Sequence, residues 1–333
     1  MLLQISMIIL GFILLILGAN LLIKGSVNIA KKFHIPEILI GLTIVALGTS
    51  MPELIVTITS ANKGAGDLII GNAIGSNLCN LLLILGLMAI LKPIKVDKDA
   101  KKIHIPISFL ATLLVLIMGL GILYGEVGVI NRVDGIILTI LSVIYFIYPI
   151  IIEIKYVGAR FHPRPEKKLN LKSVGETISR PQQEKKTFLS IICIFIGIIS
   201  LKYGGDFVVE YCIEIARMFS ISERVIGLTV IAIGTALPEL VTSILAIIKK
   251  DTDLAVGNLV GSCILNLLLI LGIGAIITPL TLSSEFIQNL VILLVTNLII
   301  LIFCFIGKKH TVTKQKGLVL LAFFSLYICS LFA

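Results

Sequence analysis

Charged residues are scarce in this 333-residue chain. Asp, Glu, Lys and Arg make up 14% of it, whereas 57% is hydrophobic and the mean hydropathy is +1.10. Because a typical soluble domain is about 45 to 50% apolar, a water-soluble globule is excluded and the composition predicts an integral membrane protein. The long apolar runs lack strict two-residue alternation, so they indicate membrane helices rather than barrel strands.

Paired cysteines are missing as well. The six cysteines fall in apolar runs without a CxxC pair, and no histidine cluster accompanies them. Neither a zinc site nor a disulfide framework is indicated, and we interpret the cysteines as small packing residues. No Lys or Arg precedes Lys24, so we expect no cleavable signal peptide.

Ten apolar segments are long enough to span a bilayer core of about 30 Å. They are Ile5 to Ile29, Glu37 to Ala61, Leu68 to Leu91, Ile103 to Leu123, Val133 to Ile152, Phe188 to Cys212, Val225 to Ile248, Leu254 to Ile277, Phe286 to Ile306 and Gly317 to Leu331. The net charge of +9 does not indicate a nucleic-acid partner, because the basic residues lie almost wholly between these segments and report topology.

The distribution of the basic residues predicts the orientation. Loops on one side hold 22 of the 28 Lys and Arg residues and loops on the other side hold four. The richer side should be cytoplasmic, so both termini are predicted to lie outside the cell membrane. Residues 154–187, rich in charge and proline, are predicted to be a cytoplasmic linker between a first half, 1–153, and a second half, 188–333.

One stretch of the sequence occurs twice. Gly48 to Asn80 opens with GTSMPEL and closes with GNAIGSNLCN, and Gly234 to Asn266 opens with GTALPEL and closes with GNLVGSCILN, each position being 186 residues after its counterpart. A repeat of this length is a duplicated structural unit. Five spans per unit is an odd number, so the second copy must be inverted, which is typical of transporters with a substrate site near the membrane midplane.

Each copy places a glutamate, Glu53 or Glu239, directly after a proline in an apolar run. An ionisable group in a membrane span costs roughly 2.5 to 3.5 kcal/mol on insertion scales and by default indicates function. The prolines predict a kink in each helix that releases backbone carbonyls, near Ala46 and Thr49 in the first copy. Thr49 and Glu53 are four residues apart and share a helix face, and Thr235 and Glu239 repeat this arrangement.

The second motif adds hydroxyl and amide groups at the same spacing. Ser76 and Asn80 are four residues apart, as are Ser262 and Asn266. Carboxylates, amides, hydroxyls and open carbonyls form an all-oxygen ligand set, which favours calcium or sodium over zinc, copper or iron. A kink with a protonated structural glutamate is the alternative for either motif alone, but two copies in register favour an ion site.

The paired motifs resemble the two alpha repeats of the calcium/cation antiporter superfamily, particularly its short prokaryotic sodium/calcium exchangers. The resemblance implies an all-α membrane fold of ten transmembrane helices in two inverted repeats of five. It also implies broken helices 2, 3, 7 and 8 around an ion-binding core. The implied activity is exchange of calcium for sodium by alternating access, without enzymatic catalysis and without a cofactor besides the transported ions. We expect the protein to function as a monomer in the lipid bilayer.

The resemblance also implies ligands, position by position. Glu53 and Glu239 would coordinate calcium with the backbone oxygens of Thr49 and Thr235. Two outer sodium sites and a central pair of amides would complete the cluster. They comprise Ser50, Ser76 and the carbonyl of Ala46 in one sodium site, Ser262, Thr235 and the carbonyl of Ala232 in the other, and Asn80 and Asn266 at the centre.

Two positions depart from the family pattern. Ala236 stands where many members have the serine of GTSxPEL, which removes one hydroxyl from a sodium site. Asn266 stands where some exchangers have an aspartate. Both leave the ion stoichiometry open, whereas Asn80 argues against potassium dependence because potassium-dependent relatives tend to carry an acidic residue there.

Other functions stay open at this point. Calcium/proton antiport on the same fold is the nearest alternative, followed by a cation channel and an intramembrane enzyme that uses the two glutamates as acid and base. Lys202 and Asp206 lie four residues apart in the sixth span, either as a local ion pair or with Asp206 lining a vestibule. Glycines at positions 11, 18 and 197 would ease sliding of the first and sixth spans or merely permit close packing.

Overall fold

The computed structural model describes residues 1–33, 35–122, 128–160, 180–219, 232–305 and 311–331, with the backbone alone for 150, 152–160, 180–186 and 232. Twelve helices lie in these ranges. They are α1 Leu2–Phe33, α2 Glu37–Thr49, α3 Met51–Asn62, α4 Gly66–Leu91, α5 Ala100–Gly119, α6 Arg132–Arg160, α7 Arg180–Met218, α8 Ala232–Thr235, α9 Leu237–Ile248, α10 Thr252–Ile277, α11 Ser284–Phe305 and α12 Lys314–Ser330. Four two-residue strands accompany them, β1 Ile94–Lys95, β2 Val129–Ile130, β3 Leu280–Thr281 and β4 Thr311–Val312.

The helices are those of an integral membrane protein. Seven in the described ranges are long and apolar enough to cross a membrane, and the bent pair α2 and α3 makes an eighth span if it is counted as one. Large apolar side chains such as Phe12, Leu110 and Phe195 are exposed on their outer faces. Hydrocarbon chains solvate such faces at no cost, whereas water would not.

The predicted linker is helical at both of its ends. Helix α6 continues to Arg160 and α7 already begins at Arg180, so 154–160 and 180–187 extend the flanking helices. Residues 161–179, the centre of the linker, lie outside the described residues, as do 220–231 at the start of the predicted seventh span.

Helices α1 and α7 pack closely and antiparallel through glycines. A Cβ atom added at Gly11 would lie 2.8 Å from the carbonyl oxygen of Gly204, and one added at Gly18 would lie 2.8 Å from that of Gly197. A Cβ atom added at Gly204 would likewise lie 2.8 Å from the carbonyl oxygen of Gly11, and one added at Gly197 would lie 2.8 Å from that of Gly18. Only glycine permits this backbone approach, which is how small residues join membrane helices.

Both proline-glutamate motifs interrupt a helix, as predicted. Helices α2 and α3 meet at Ser50 with a bend of 46°, and α8 and α9 are separated by Ala236. The two break residues have nearly identical backbone angles, φ −84° and ψ 9° at Ser50 and φ −84° and ψ 1° at Ala236.

One expectation about the first break is wrong. The carbonyl of Ala46 keeps its helical partner, because the Ser50 N–H donates to it at 2.9 Å, and the Thr49 hydroxyl lies 3.2 Å from it. The reason is the position of Pro52 in the first turn of α3, where a missing N–H breaks no bond and the preceding helix runs undisturbed to its end.

The expected breaks in the third and eighth spans are also wrong. Helices α4 and α10 are continuous, and each instead contains a π-helical segment, Cys79–Ile84 in α4 and Asn266–Ile270 in α10. The GNxxGS motif has glycines but no proline, so nothing in it ends a helix. The π turns fall on Asn80 and Asn266, and such turns often mark functional positions in helices.

Short strands pair loops that are distant in the sequence. Strand β1 pairs with β4, and β2 pairs with β3, both antiparallel. Each pair links a loop of the first half to a loop of the second. Ile94 and Val312 in one pair, and Ile130 and Leu280 in the other, are buried against the helix ends.

Candidate cation site

The repeated motifs meet in the interior of the helix bundle. Most of their polar side chains are almost fully buried, although they come from five helices, α2, α3, α4, α9 and α10, and from the break at Ser50. The site residues with no more than 2% exposure are Thr49, Ser50, Glu53, Ser76, Asn80, Glu239, Ser262 and Asn266. Thr235 is half-buried, and for Ala232 only the helical backbone is described.

The carboxylate of Glu239 accepts hydrogen bonds from two hydroxyl groups. The Ser50 hydroxyl donates to its Oε1 at 2.9 Å, and the Ser262 hydroxyl donates to the same oxygen at 3.4 Å. The two serine oxygens are 3.1 Å apart. Its second oxygen, Oε2, is buried without a hydrogen-bond partner among the described residues. Ser50 belongs to the first break and Ser262 to the second motif, so this cluster joins the two halves of the chain.

Glu53 is in a different situation. Neither of its carboxylate oxygens has a hydrogen-bond partner in the described part of the chain, and the hydroxyl of Ser76 also lacks one. The Asn72 amide donates at 3.2 Å to the backbone carbonyl of Glu53 rather than to the carboxylate. The two buried carboxylates therefore have three oxygens without a partner among the described residues.

Thr49 lies at the end of α2 beside the second half. Its hydroxyl is 3.1 Å from Oδ1 of Asn258, whose amide nitrogen donates to the Ser243 hydroxyl at 3.0 Å. These contacts position the last turn of α2, whose Thr49 carbonyl was the predicted calcium ligand. Thr235 occupies the corresponding place in α8, one turn before Glu239.

The amides form a bridge between the two π turns. Asn266 donates to Oδ1 of Asn77 at 3.0 Å, and Asn77 donates to the carbonyl of Cys263 at 3.0 Å. The side-chain oxygens of Asn80 and Asn266 are buried and without a partner among the described residues. Both predicted central amides thus retain an oxygen for another ligand.

The structure groups the serines differently from the expectation. Ser50 and Ser262 were assigned to two separate sodium sites, yet both contact Glu239. The reason is the crossing of the two halves, which brings the break of one motif against the second motif of the other. The four-residue spacing used in the sequence analysis relates residues of one helix only, so it cannot predict contacts between two helices.

Three asparagines that form hydrogen bonds at the site were not singled out from the sequence. Asn72 and Asn258 are the asparagines of the two GN dipeptides and bond to Glu53, Ser243 and Thr49. Their repetition at the same offset was a usable signal. Asn77, which bridges the π turns, has Cys263 as its counterpart 186 residues later, so the repeat gave no signal for it.

The arrangement suits a hard cation. Apart from the amide nitrogen of Asn80, the unpartnered side-chain atoms of the site are oxygens, the ligands that calcium and sodium prefer. In the described ranges no Lys or Arg forms an ion pair with either glutamate, and no group of three or more His, Cys, Asp or Glu side chains forms a transition-metal cluster. A buried carboxylate without a counter-charge is costly, so a bound cation would offset the charge of these groups.

Comparison with known proteins places this geometry in context. A family model described as "Sodium/calcium exchanger protein" matches residues 3–151 and 189–333. The chain is 34% identical over 328 residues to the putative antiporter CaxA of Alkalimonas amylolytica, covering 98% of each chain. It is 28% identical to the sodium/calcium exchanger MaX1 of Methanosarcina acetivorans, covering 98% of this chain and 97% of that one. A structure of the sodium-calcium exchanger NCX_Mj, soaked with zero Na+ and Ca2+, superposes with a TM-score of 0.79 at 29% identity, covering 99% of both chains.

Proposed function

The chain belongs to the sodium/calcium exchanger family, and from that premise we propose that it exchanges calcium for sodium across a membrane by alternating access. The proteins of this family are transporters and not enzymes, and the match does not favour the calcium/proton alternative. The transported ions are its ligands, and no further cofactor is part of the proposal.

One observation of this chain carries the proposal. Three carboxylate oxygens of Glu53 and Glu239 are buried without a partner among the described residues, at the level where both broken helices end. One calcium ion would neutralise the two carboxylates, and so would two sodium ions. Because both ions compete for the same oxygens, release of one permits binding of the other, which is the requirement for coupled exchange.

We assign ligands by combining the expected set with the observed contacts. Glu53 and Glu239, with the backbone oxygens of Thr49 and Thr235, would hold calcium. Glu239 with Ser50 and Ser262 would form one sodium site, supported by their mutual distances. Glu53 would share the other with Ser76. The remaining proposed ligands are the side-chain oxygens of Asn80 and Asn266 and the carbonyls of Ala46 and Ala232.

We further propose ten membrane spans in two inverted repeats of five. Three observations support this arrangement. The two breaks have matching backbone angles, α1 and α7 make antiparallel glycine contacts, and each strand pair joins the first half of the chain to the second. The two spans beyond the eight are α8 and α9 together with the residues before them, and α12, which has 17 residues. The basic loops and the linker would then be cytoplasmic and both termini external, in a protein that functions as a monomer.

The α1 and α7 pair is the moving element in this proposal. Its interface is glycine-rich and antiparallel, and a Cβ atom added at Gly205 of α7 would lie 3.8 Å from Pro238, the residue before Glu239. A shift of the pair along its own axis would uncover the glutamates on one side of the membrane while covering them on the other. Small residues permit such a shift because few side chains interlock across the interface.

The test is transport by purified protein in liposomes. Vesicles loaded with sodium and diluted into choline medium should accumulate radioactive calcium, whereas vesicles loaded with choline should not. A pH gradient without sodium should drive no uptake. Absence of sodium-dependent uptake by correctly folded protein, or uptake driven by the pH gradient alone, would overturn the proposal.

A further inference from the structure

The two halves use the asparagine of the GN dipeptide differently. Asn72 of α4 and Asn258 of α10 are counterparts in the repeat, and each bonds to the helix that carries the glutamate of its own half. The Asn258 amide nitrogen donates at 3.0 Å to the Ser243 hydroxyl, 15 residues earlier in the chain. The Asn72 amide nitrogen instead donates at 3.2 Å to the backbone carbonyl of Glu53, 19 residues earlier. Equivalent side chains thus select acceptors that differ by four positions.

Both kinds of acceptor are present in both halves. By the offset of the repeat, Ser243 corresponds to Thr57, and Glu53 corresponds to Glu239. In a helix the carbonyl of one residue accepts from the N–H four residues later, so the glutamate carbonyl and the hydroxyl are neighbours on one helix face. The face that each asparagine meets therefore offers two acceptors, and the two halves use different ones.

The choice of acceptor leaves one hydroxyl without a hydrogen bond. Thr57 is fully buried, and its hydroxyl has no partner in the described part of the chain. The Ser243 hydroxyl is equally buried and accepts from Asn258. A buried hydroxyl without a hydrogen bond is destabilising. The first half thus carries a cost that the second half avoids, although both halves contain the same polar groups.

The asparagine that bonds to the hydroxyl also contacts a broken helix of the other half. Oδ1 of Asn258 is 3.1 Å from the hydroxyl of Thr49, the last residue of α2. Thr49 directly precedes the break at Ser50. By the offset, the residue that Asn72 would contact in the same way is Thr235, the last residue of α8. The bonds of Asn258 therefore hold one of the two helix ends that lie beside the proposed cation ligands.

Resting on the exchange activity proposed above, we propose that Asn72 and Asn258 are two copies of one hydrogen-bond switch. The halves exchange their bonding patterns when the cation site opens to the other side of the membrane. In the described conformation Asn258 bonds to Ser243 and holds the end of α2. In the opposite conformation Asn72 bonds to Thr57 and holds the end of α8, while Asn258 moves to the carbonyl of Glu239. The two arrangements contain the same kinds of bond, so neither conformation is strongly favoured, and small differences in contacts shift the population between them.

The first test removes one hydroxyl at a time. Ser243→Ala deprives Asn258 of its acceptor in the described conformation, and Thr57→Val deprives Asn72 of its acceptor in the opposite one. Each variant destabilises one conformation, so the ratio of the half-saturating calcium concentrations on the two sides of the membrane should shift by about two- to tenfold, in opposite directions for the two variants. Calcium transport in both directions, in liposomes that hold the protein in one orientation, measures this ratio. Hydroxyls that only stabilise the fold would leave the ratio unchanged or move it in the same direction in both variants, and either result would overturn the switch.

The conservative exchanges are the matched controls. Ser243→Thr and Thr57→Ser keep a hydroxyl at each position and should leave the ratio unchanged, whereas a shift equal to that of the hydroxyl-free variants would contradict the role of the hydrogen bonds. A structure of Thr57→Ser also separates conformation from residue type, and Asn72 should stay on the carbonyl of Glu53. If Asn72 then bonds to the hydroxyl at position 57 while Asn258 keeps its bond to Ser243, residue type selects the acceptor and the switch is overturned.

The second test is a structure of the wild-type protein in the conformation that opens to the other side. The amide nitrogen of Asn72 should lie about 2.7 to 3.2 Å from the Thr57 hydroxyl, and the Asn258 amide should donate to the carbonyl of Glu239. Unchanged partners for the two asparagines would overturn the switch. This comparison needs no transport, so the two proposals can fail separately. Absence of sodium-dependent calcium flux would overturn the proposed exchange, whereas normal flux with unchanged partners would overturn the switch alone.

Discussion

The two glutamates occupy equivalent places in the repeat but have unequal surroundings. Glu239 accepts hydrogen bonds from Ser50 and Ser262, whereas neither oxygen of Glu53 has a partner in the described ranges. The counterpart of Ser50 is Ala236, which has nearly the same backbone angles but no hydroxyl. The counterpart of Ser262 is Ser76, whose hydroxyl is present but has no partner among the described residues. The duplicated backbone therefore does not enforce duplicated chemistry.

This difference predicts how the two halves contribute to calcium binding and to sodium binding. Calcium, with its two charges, requires both carboxylates and should depend equally on them. Sodium ions bind singly, so each depends on the hydroxyls around one carboxylate. We therefore expect the two halves to behave alike toward calcium and unlike toward sodium.

The largest effect is expected from neutralising either carboxylate. Glu53→Gln and Glu239→Gln should each reduce sodium-driven calcium uptake on the order of 100-fold or more, because removing one partner of a buried charge pair costs about 3 to 5 kcal/mol. Uptake of radioactive calcium into liposomes measures this loss. A normal elution profile in detergent serves as the control for folding, and more than half of wild-type uptake in either variant would contradict shared coordination.

A moderate effect is expected from removing the hydroxyl at Ser50 or adding one at Ala236. Ser50→Ala removes an oxygen proposed to bind sodium beside Glu239 and should raise the half-saturating sodium concentration by about tenfold, a loss of about 1.4 kcal/mol. Ala236→Ser supplies the missing hydroxyl beside Glu53 and should lower that concentration. Sodium dependence of calcium release measures both. If Ala236→Ser leaves it unchanged, the unequal surroundings have no consequence for sodium.

The smallest effect is expected at the bridge between the π turns. Asn77→Cys makes this position identical to its counterpart Cys263 and removes the acceptor of Asn266 and the donor to the Cys263 carbonyl. The loss should be about 1 to 3 kcal/mol of stability, seen as a lower melting temperature in detergent. Cys263→Asn is the matched variant, and it should keep the backbone carbonyl as acceptor. An unchanged melting temperature of Asn77→Cys would show that the bridge is dispensable.

Much of the architecture could be predicted from the sequence because it depends on covalent constraints. Proline at positions 52 and 238 cannot continue a helix, and the constant offset required two equivalent breaks. The i,i+4 ion pair of Lys202 and Asp206, with Nζ 2.7 Å from Oδ2, was also predictable, since both groups share one helix face. Seven span-length helices and one bent pair match predicted apolar segments.

The rest depends on tertiary packing that spacing does not report. The partners of Ser50 lie on other helices, so its contact with Glu239 follows from how the two halves cross. The π turns at Asn80 and Asn266 have no sequence signature comparable to proline. Asn72 and Asn258 occupy identical motif positions, yet the Asn72 amide donates to the backbone carbonyl of Glu53 and the Asn258 amide donates to the Ser243 hydroxyl. The counterpart of Ser243 is Thr57, whose hydroxyl has no partner among the described residues.

The central claim is that Glu53 and Glu239 hold one cation together inside the membrane. Crystals grown with calcium and measured for its anomalous scattering test it most directly. We predict a single strong peak about 2.3 to 2.6 Å from oxygens of both carboxylates. A peak bound to only one of the two glutamates, or to neither, would contradict the account.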